Sequence, residues 1–378
     1  MPHGIRVIET STGPKYLPLV STAVIGVVVT APDASAGAYP LNTPVLALEP
    51  SKAATELGAA GTGRAALQAI ADQVTCPVII VRVAPGADAA ATAVNVIGAD
   101  GGGAKTGMQA LLSAQAVTSM RPRIIGAPGL DAVTVATALG VLAGKLNGMA
   151  YARGTGATAA QVATYRNTFS ARELMLVWPD FTFGGADASV VGRALGLRAR
   201  IDQMVGFHKT LSNVAVQGVT GIVPAISWDL QSSSTDAGVL NGADVTALIQ
   251  SKGFRFWGSR TCSSDPEFAF ESAVRTNQVL KDTIAEGLMA FSDTPLTPSR
   301  AKDIVERINK LFARLKRDGK LIGARAFLEP GANPAGQLAA GQLVIKYKFT
   351  PVPPLEDLTL MAEITDEYFE GFDQLAGA

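Results

Sequence analysis

The apolar pattern begins in earnest at Val24-Ile25-Gly26-Val27-Val28-Val29, an unbroken run of the kind a strand buried on both faces requires. Residues 52–73 follow with Leu57, Leu67 and Ile70 among alanines and polar residues, a helical composition despite Gly58, Gly61 and Gly63. Pro77-Val78-Ile79-Ile80-Val81-Arg82-Val83 is a second run of the first type. Strand, helix, strand is the βαβ unit, because parallel strands need a crossover between them. The alternation continues: Arg123-Ile124-Ile125-Gly126 follows a helical stretch at 106–117, and Leu174-Met175-Leu176-Val177-Trp178 follows another at 158–167. The pattern predicts an α/β domain over 21–255, with 84–105 and 231–243 as exposed loops of small residues.

Past residue 255 the pattern changes. Residues 266–290 read as a long helix. Residues 298–317 read as another, with Thr297 as its cap, Pro298 in its first turn and Gly319 as its stop. Its apolar residues Ala301, Ile304, Val305, Ile308, Leu311, Phe312 and Leu315 fall on one stripe. A strand pattern then puts Leu343, Ile345, Tyr347 and Phe349 on one face and Val344, Lys346 and Lys348 on the other. Leu358, Leu360, Ala362 and Ile364 alternate in the same way after the interruptions at Pro351, Pro353 and Pro354. At the other end Ile5, Val7 and Ile8 lie in a short strand-like segment, and Gly13, Pro14 and Pro18 make residues 1–20 read as an extended arm. The fold class is therefore mixed α/β and multidomain: an arm at 1–20, an α/β domain at 21–255, an α+β domain at 256–357 and a second arm at 358–378.

Composition narrows the function. Of 378 residues, 48% are hydrophobic, enough for sizeable cores. Lysine plus arginine and aspartate plus glutamate both number 32, so no net charge draws the chain to nucleic acid or acidic lipid. Weak self-repulsion suits a protein that packs against its own copies. Two cysteines, Cys76 and Cys262, build no disulfide framework. Apolar runs are short and broken, so no membrane span is expected, and Met1-Pro2-His3-Gly4 does not start a signal peptide.

Catalytic chemistry is sparse. Gly98 to Gly107 has the look of a phosphate-binding loop, but Ala104 stands where glycine must precede Lys105, and no buried strand leads into it. A turn before a helix is the better reading. His3 and His208 have no metal-ligand spacing around them, and no G-x-S-x-G elbow accompanies His208. Glu173 and Asp180 flank a strand without forming an evident acid/base couple. No catalytic residue, cofactor or metal is assigned. The best-defined charged feature lies between Arg300 and Arg317: seven bases against two acids, a local charge of +5. Arg307, Lys310, Arg314 and Arg317 form a stripe beside the apolar face. It reads either as a solvated face with the pairs Asp303–Arg307 and Glu306–Lys310, or as a dock for an acidic protein surface.

Several segments carry a resemblance. They are His3-Gly4-Ile5-Arg6-Val7-Ile8-Glu9; Val20 to Gly26; Tyr39-Pro40-Leu41-Asn42-Thr43-Pro44-Val45-Leu46; and Tyr165-Arg166 leading to Arg172-Glu173-Leu174-Met175-Leu176-Val177-Trp178-Pro179-Asp180-Phe181. In this order and spacing the chain resembles the tail sheath proteins of contractile-tailed phages and R-type pyocins. The resemblance implies a structural, non-enzymatic subunit in the tail of a virion or bacteriocin, assembled in the host cytoplasm. It implies hexameric layers of the same chain around a tail tube protein, with baseplate and tail terminator proteins as further partners. It also implies terminal arms that add strands to neighbouring subunits: Ile5, Val7 and Ile8 at one end, Leu358, Leu360 and Ile364 at the other, with Leu343, Ile345, Tyr347 and Phe349 in the receiving strand. The basic helix then faces the tube. Another contractile injection or secretion system is the alternative, and a nucleotide-binding α/β enzyme the remote one.

Overall fold

Six parallel strands form the centre of the larger domain in the computed structural model, which describes residues 17–369. The sheet strands in chain order are β1 (Ile25–Thr30), β2 (Pro44–Ala47), β3 (Val78–Val83), β4 (Ile124–Gly126), β5 (Met149–Arg153), β6 (Leu174–Trp178), β7 (Val245–Gln250) and β8 (Phe254–Trp257). Their spatial order is β8-β7-β6-β5-β4-β1-β3-β2, with β2 and β8 antiparallel at the edges. Every residue of β1, β3 and β6 is buried, as their continuous apolar runs require.

Helices cover both faces. The helices α1 (Pro50–Glu56), α2 (Gly63–Ala71) and α6 (Val190–Met204) bury Leu57, Leu67, Ile70 and Leu195 against one face. On the other face α3 (Ala89–Ile97), α4 (Val133–Leu146), α5 (Ala159–Arg166) and α7 (Asp236–Gly242) supply Val96, Leu139, Val162 and Leu240. Gly58 and Gly61 both take positive φ, 79° and 85°, which splits the expected 52–73 helix into α1 and α2.

Two expected loops are corrected. Residues 84–105 contain α3, started by Asp88 accepting from the Ala91 amide, and residues 231–243 contain α7, started by Thr235 accepting from the Gly238 amide. The helix α3 is alanine-rich and α7 has only 7 residues, so each buries few large side chains and their periodicity is faint. The strand β8 also runs across position 255, so the sheet extends to Trp257.

The smaller domain has α8 (Glu271–Leu288), α9 (Pro298–Arg317), β9 (Gly323–Phe327) and β10 (Lys346–Thr350). The helix α9 has the expected bounds. The Thr297 hydroxyl accepts from the Arg300 amide, Pro298 opens the helix, and Gly319 follows it at φ 69°. Its apolar stripe packs on a hairpin of β9 and β10, burying Ile308, Leu311, Phe312 and Leu315 with Leu321 and Ala326.

Candidate assembly surfaces

The hairpin of β9 and β10 is a sheet of two strands; β10 begins at Lys346, so Leu343 and Ile345, expected in this strand, precede it, although the alternation of burial runs through them. Leu343, Ile345, Tyr347 and Phe349 are half-buried, whereas Val344, Lys346 and Lys348 are exposed. Tyr347 lies 5.8 Å from the Phe312 ring and 6.2 Å from the Phe349 ring, centroid to centroid. The solvent face holds Arg325 opposite Lys348, and Phe327 opposite Lys346.

Leu358, Leu360 and Ile364 were expected in a strand. Among the described residues, 351–365 form none, for want of a partner ladder within the chain. Leu358 and Leu360 are exposed, Met361 is 97% exposed and Ile364 fully so. Apolar side chains at alternate positions stand in solvent, which costs about 1.5–3 kcal/mol for each large one relative to burial. The start of this segment is fixed: Arg260 donates to Glu356 from Nε at 3.0 Å and Nη2 at 2.7 Å. Ile5, Val7 and Ile8 lie outside the described residues. The segment that follows them does not: Leu17 is buried against α8 and α9, and Leu19 and Val20 pack beside it. A Cβ at Gly287 would meet Leu17 Cδ2 at 2.5 Å, so glycine is needed there for the close approach.

The basic stripe divides. Arg314 Nη2 donates to the Leu17 carbonyl at 2.7 Å, and the Arg307 guanidinium lies over the Phe291 ring at 4.7 Å. Lys310 and Arg317 point to solvent, with Arg317 joined to Asp318 at 3.2 Å. Among the described residues neither Asp303–Arg307 nor Glu306–Lys310 forms an ion pair; Arg307 and Arg314 flank the apolar face closely enough to be used by their own subunit.

A buried charge network joins the two domains and has no counterpart in the expectations above. Arg198 of α6 pairs with Asp202 at 2.7 Å and with Glu271 of α8 at 3.2 Å. Arg275 pairs with Asp202, and the Tyr151 hydroxyl donates to Glu271. All five side chains are essentially inaccessible. Burial alone would raise the Glu271 pKa, but Arg198 and Arg275 outweigh it and hold the carboxyl below its usual range. A second link runs from Arg123 to Asp282, which also accepts from Asn147 at 2.7 Å.

In a doubly wound sheet, ligands bind beyond the carboxyl ends of the strands. A crevice of about 390 Å³ lies there, lined by Asp131, Arg153, Asp180, Asp187 and Ser189. Arg153 pairs with Asp180 at 3.0 Å, and its amide donates to Asp131. Burial pushes the Asp131 carboxyl up to about 6. Three carboxylates at the start of α6 repel the phosphates such crevices usually hold. The loop at 98–107 is no phosphate cradle either. Asp100–Gly101 and Ala104–Lys105 make a small hairpin turning at Gly102 and Gly103, Lys105 is tied to Asp100, and a 3-10 helix follows. Glu173 is paired with Arg172 at 2.8 Å. His208 is half-buried beside Phe207, and burial and Lys320 lower its pKa. Cys76 and Cys262 are buried free thiols pushed up to about 12 by burial. Among the described residues no cluster of His, Cys, Asp or Glu has metal-holding geometry, and no helix is long and apolar enough to cross a membrane.

Residues 103–262 match the phage tail sheath protein central domain, and residues 263–365 match the phage tail sheath C-terminal domain. The tail sheath protein of Escherichia phage P2 is 48% identical over 97% of this chain and 96% of its own length. The major tail sheath protein of Serratia phage KSP20 is 43% identical over 100% and 98%. Among solved structures, the PVC sheath complex of an extracellular contractile injection system, in the contracted state, superposes with TM-score 0.73 at 15% identity, covering 97% of this chain and 99% of that one. The helical sheath of the anti-feeding prophage, also contracted, gives 0.72 at 16% over 96% and 99%. The chain belongs to the phage tail sheath family. It is a structural subunit of a contractile tail sheath.

Proposed function

We propose that copies of this chain polymerise as hexameric layers around a tail tube of a second protein, joined by exchanged terminal strands, and contract to drive that tube through the target envelope. Residues 1–20 and 358–378 are the linking arms, 21–255 the outer domain and 256–357 the domain nearest the tube. Baseplate and terminator proteins cap the ends, and assembly takes place in the host cytoplasm. The role is mechanical rather than enzymatic.

The observation that carries this reading is the solvent-exposed row Leu358, Leu360 and Ile364 in a chain whose hairpin is only two strands wide. Each backbone bond of an added strand contributes about 1 kcal/mol net, while burying each of the three side chains contributes about 1.5–3 kcal/mol. Apolar burial therefore dominates the link, and the ladder sets its direction.

Ending the chain after Asp357 tests this. The shortened chain is expected to keep the circular dichroism and melting of the full chain but to stay in the supernatant on ultracentrifugation. The full chain should sediment and show striated cylinders in negative stain. Cylinders of normal length from the shortened chain would sink the linking role of this arm.

A further inference from the structure

Between Leu17 and Val24 the chain crosses from the smaller domain to the larger one, and it is fastened at both ends of the crossing. At the far end the Val24 carbonyl accepts from the Arg123 and Ile124 amides at 2.9 and 3.2 Å, where β1 begins beside β4. At the near end Leu17 is 5% exposed, in one cluster with Val279 and Leu280 of α8 and Ile308 and Leu311 of α9. Three atoms of its side chain lie over Gly287: a Cβ there would meet Cδ2 at 2.5 Å, Cγ at 3.1 Å and Cβ at 3.2 Å. The missing side chain of Gly287 is thus the recess that Leu17 fills. Arg314 closes the recess from α9, its Nη2 donating to the Leu17 carbonyl at 2.7 Å. A bond from a charged donor is about twice as strong as a neutral one. Pro18 stands exposed directly afterwards, with no N–H of its own and a ring that keeps Leu17 extended. Between the two fastenings the hold is lighter. The Val20 amide donates to the Thr283 hydroxyl at 3.5 Å, a long bond, and Ser21 is exposed.

Resting on the reading of the terminal arms as links between copies, we infer that Leu17, Gly287 and Arg314 form a pin that fixes the N-terminal arm to its own subunit, so that a pull on the residues before Leu17 enters α8 and α9 and stops short of β1. From α9 the path continues within the smaller domain. The Asn309 carboxamide ties α9 to β9, Nδ2 donating to the Ala326 carbonyl at 2.9 Å and Oδ1 accepting from the Ala326 amide at 2.8 Å. The apolar stripe of the same helix packs on the hairpin. The root of the arm and the hairpin are therefore held by one helix, and the larger domain hangs beside this path on the lighter crossing at 18–23. Gly287 and Arg314 are positioning residues, the one supplying the recess and the other the bond that keeps Leu17 in it. This also gives Arg314 a use within the basic stripe that contact with a tube does not require.

A reversible bond at the pin tests the inference in the full chain. Cβ atoms at positions 17 and 287 would lie 3.2 Å apart, just short of the ~3.5–4.5 Å that a disulfide spans, so Leu17→Cys with Gly287→Cys closes with a small shift. Cys76 and Cys262 are buried and do not interfere. Reduced, the pair lacks the Leu17 anchor; oxidised, it has a covalent one. Circular dichroism is expected to be alike in both forms, while the concentration at which polymer first sediments is at least about tenfold higher in the reduced form, because a loosened arm searches a larger volume. Leu17→Ala, which needs no bond, should show the same rise, and Leu17→Met should not. Equal onsets in the two redox forms, or an unchanged onset in Leu17→Ala, would overturn the pin. Removing residues 2–16 separates this from failure of the arm reading. If the deletion raises the onset and loosening Leu17 does not, the pin falls and the arm stands; if the deletion changes nothing, both fall. A short glycine-serine insertion after Ser21 tests the path, and the onset should stay within about twofold of the full chain. A rise as large as that of the reduced pair would carry the pull on to β1 and overturn the assignment.

Discussion

Arg260 grips Glu356 with two nitrogens, Nε 3.0 Å from Oε1 and Nη2 2.7 Å from Oε2, and its guanidinium lies 5.2 Å over the Phe270 ring. These residues are 96 positions apart, yet they meet at the junction of the two domains. The pair is the last fixed point before the exposed C-terminal segment. It is a forked, direction-setting contact, but each side chain is 39% exposed, so its worth to the isolated subunit is small, about 0–1 kcal/mol.

Glu356→Ala should therefore leave the melting temperature of the subunit within a degree or two, the scale expected of a sub-kcal/mol change in a chain this size. Assembly should suffer more, because an arm released at its root searches a larger volume before it finds a neighbour. Sedimentation against concentration measures this: the onset of polymer should move to higher concentration in the variant. An unchanged onset would mean that the arm needs no guidance from Arg260.

The buried network should behave in the opposite way. Glu271→Gln keeps the shape of the side chain and its bond from the Leu211 amide, which Glu271 Oε2 now accepts at 3.3 Å. It leaves Arg198 and Arg275 facing Asp202 alone, an excess positive charge among side chains closed off from solvent. The expected loss is about 3–5 kcal/mol, read as a lower urea midpoint. Glu271 also sets an acid limit. Its folded pKa is held below the ordinary 4.5, so its contribution is present above that value and is lost as pH falls below 4.5 toward the depressed pKa. A midpoint unmoved by the substitution would mean that the network carries no stability.

The basic helix offers two separable experiments. Lys310 and Arg317 are exposed, Arg317 sharing only the surface carboxylate of Asp318, whereas Arg307 stacks on Phe291 and Arg314 holds the Leu17 carbonyl. Reversing Lys310 and Arg317 to glutamate should leave the subunit's stability within about 0.5 kcal/mol, as for exposed sites generally, and weaken assembly on the tube with a strong salt dependence. Arg314→Glu places a carboxylate against a carbonyl oxygen, so it should lower the melting temperature before any tube is added. If the double reversal assembles at normal salt resistance, the exposed half of the stripe is not the tube contact.

The sequence was legible where burial is uniform or where helix ends are marked. The run Val24–Val29 announced the fully buried strand Ile25–Thr30, and the Thr297, Pro298 and Gly319 punctuation gave α9 its ends. It was illegible where contrast is low: Ala89–Ile97 is a helix whose one fully buried residue is Val96, so no stripe announces it. Long-range polar pairs were hidden for another reason. Arg198 and Asp202, four positions apart, look like any surface helical pair, and nothing local shows that Glu271 and Arg275 will seal them from water. Arg314 could not be separated from Lys310 by charge pattern, because its partner is a backbone carbonyl 297 residues away.

Asp131 carries the last prediction. Its carboxyl accepts from the Arg153 amide beneath the crevice at the carboxyl ends of β4 to β6, and burial pushes it up to about 6 from an ordinary 3.8. Asp180, also raised by burial, faces it and shares Arg153, while Asp187 and Ser189 complete the wall. A raised carboxylate is more easily protonated in the folded state than in the unfolded one. Its effect is thus to make stability fall as pH rises from about 4 to about 6 and to level off above that. The full span is on the order of 3 kcal/mol, at 1.36 kcal/mol per pKa unit. This slope is opposite in sign to that of Glu271 and lies at higher pH, so the two can be read in one titration. Asp131→Asn keeps an acceptor for the Arg153 amide and removes the charge. It should raise the melting temperature at pH 7 and flatten the decline between pH 4 and 6, leaving the smaller part due to Asp180. A variant that melts lower at pH 7 and keeps the full decline would show that Asp131 is ionised at little cost in the folded chain.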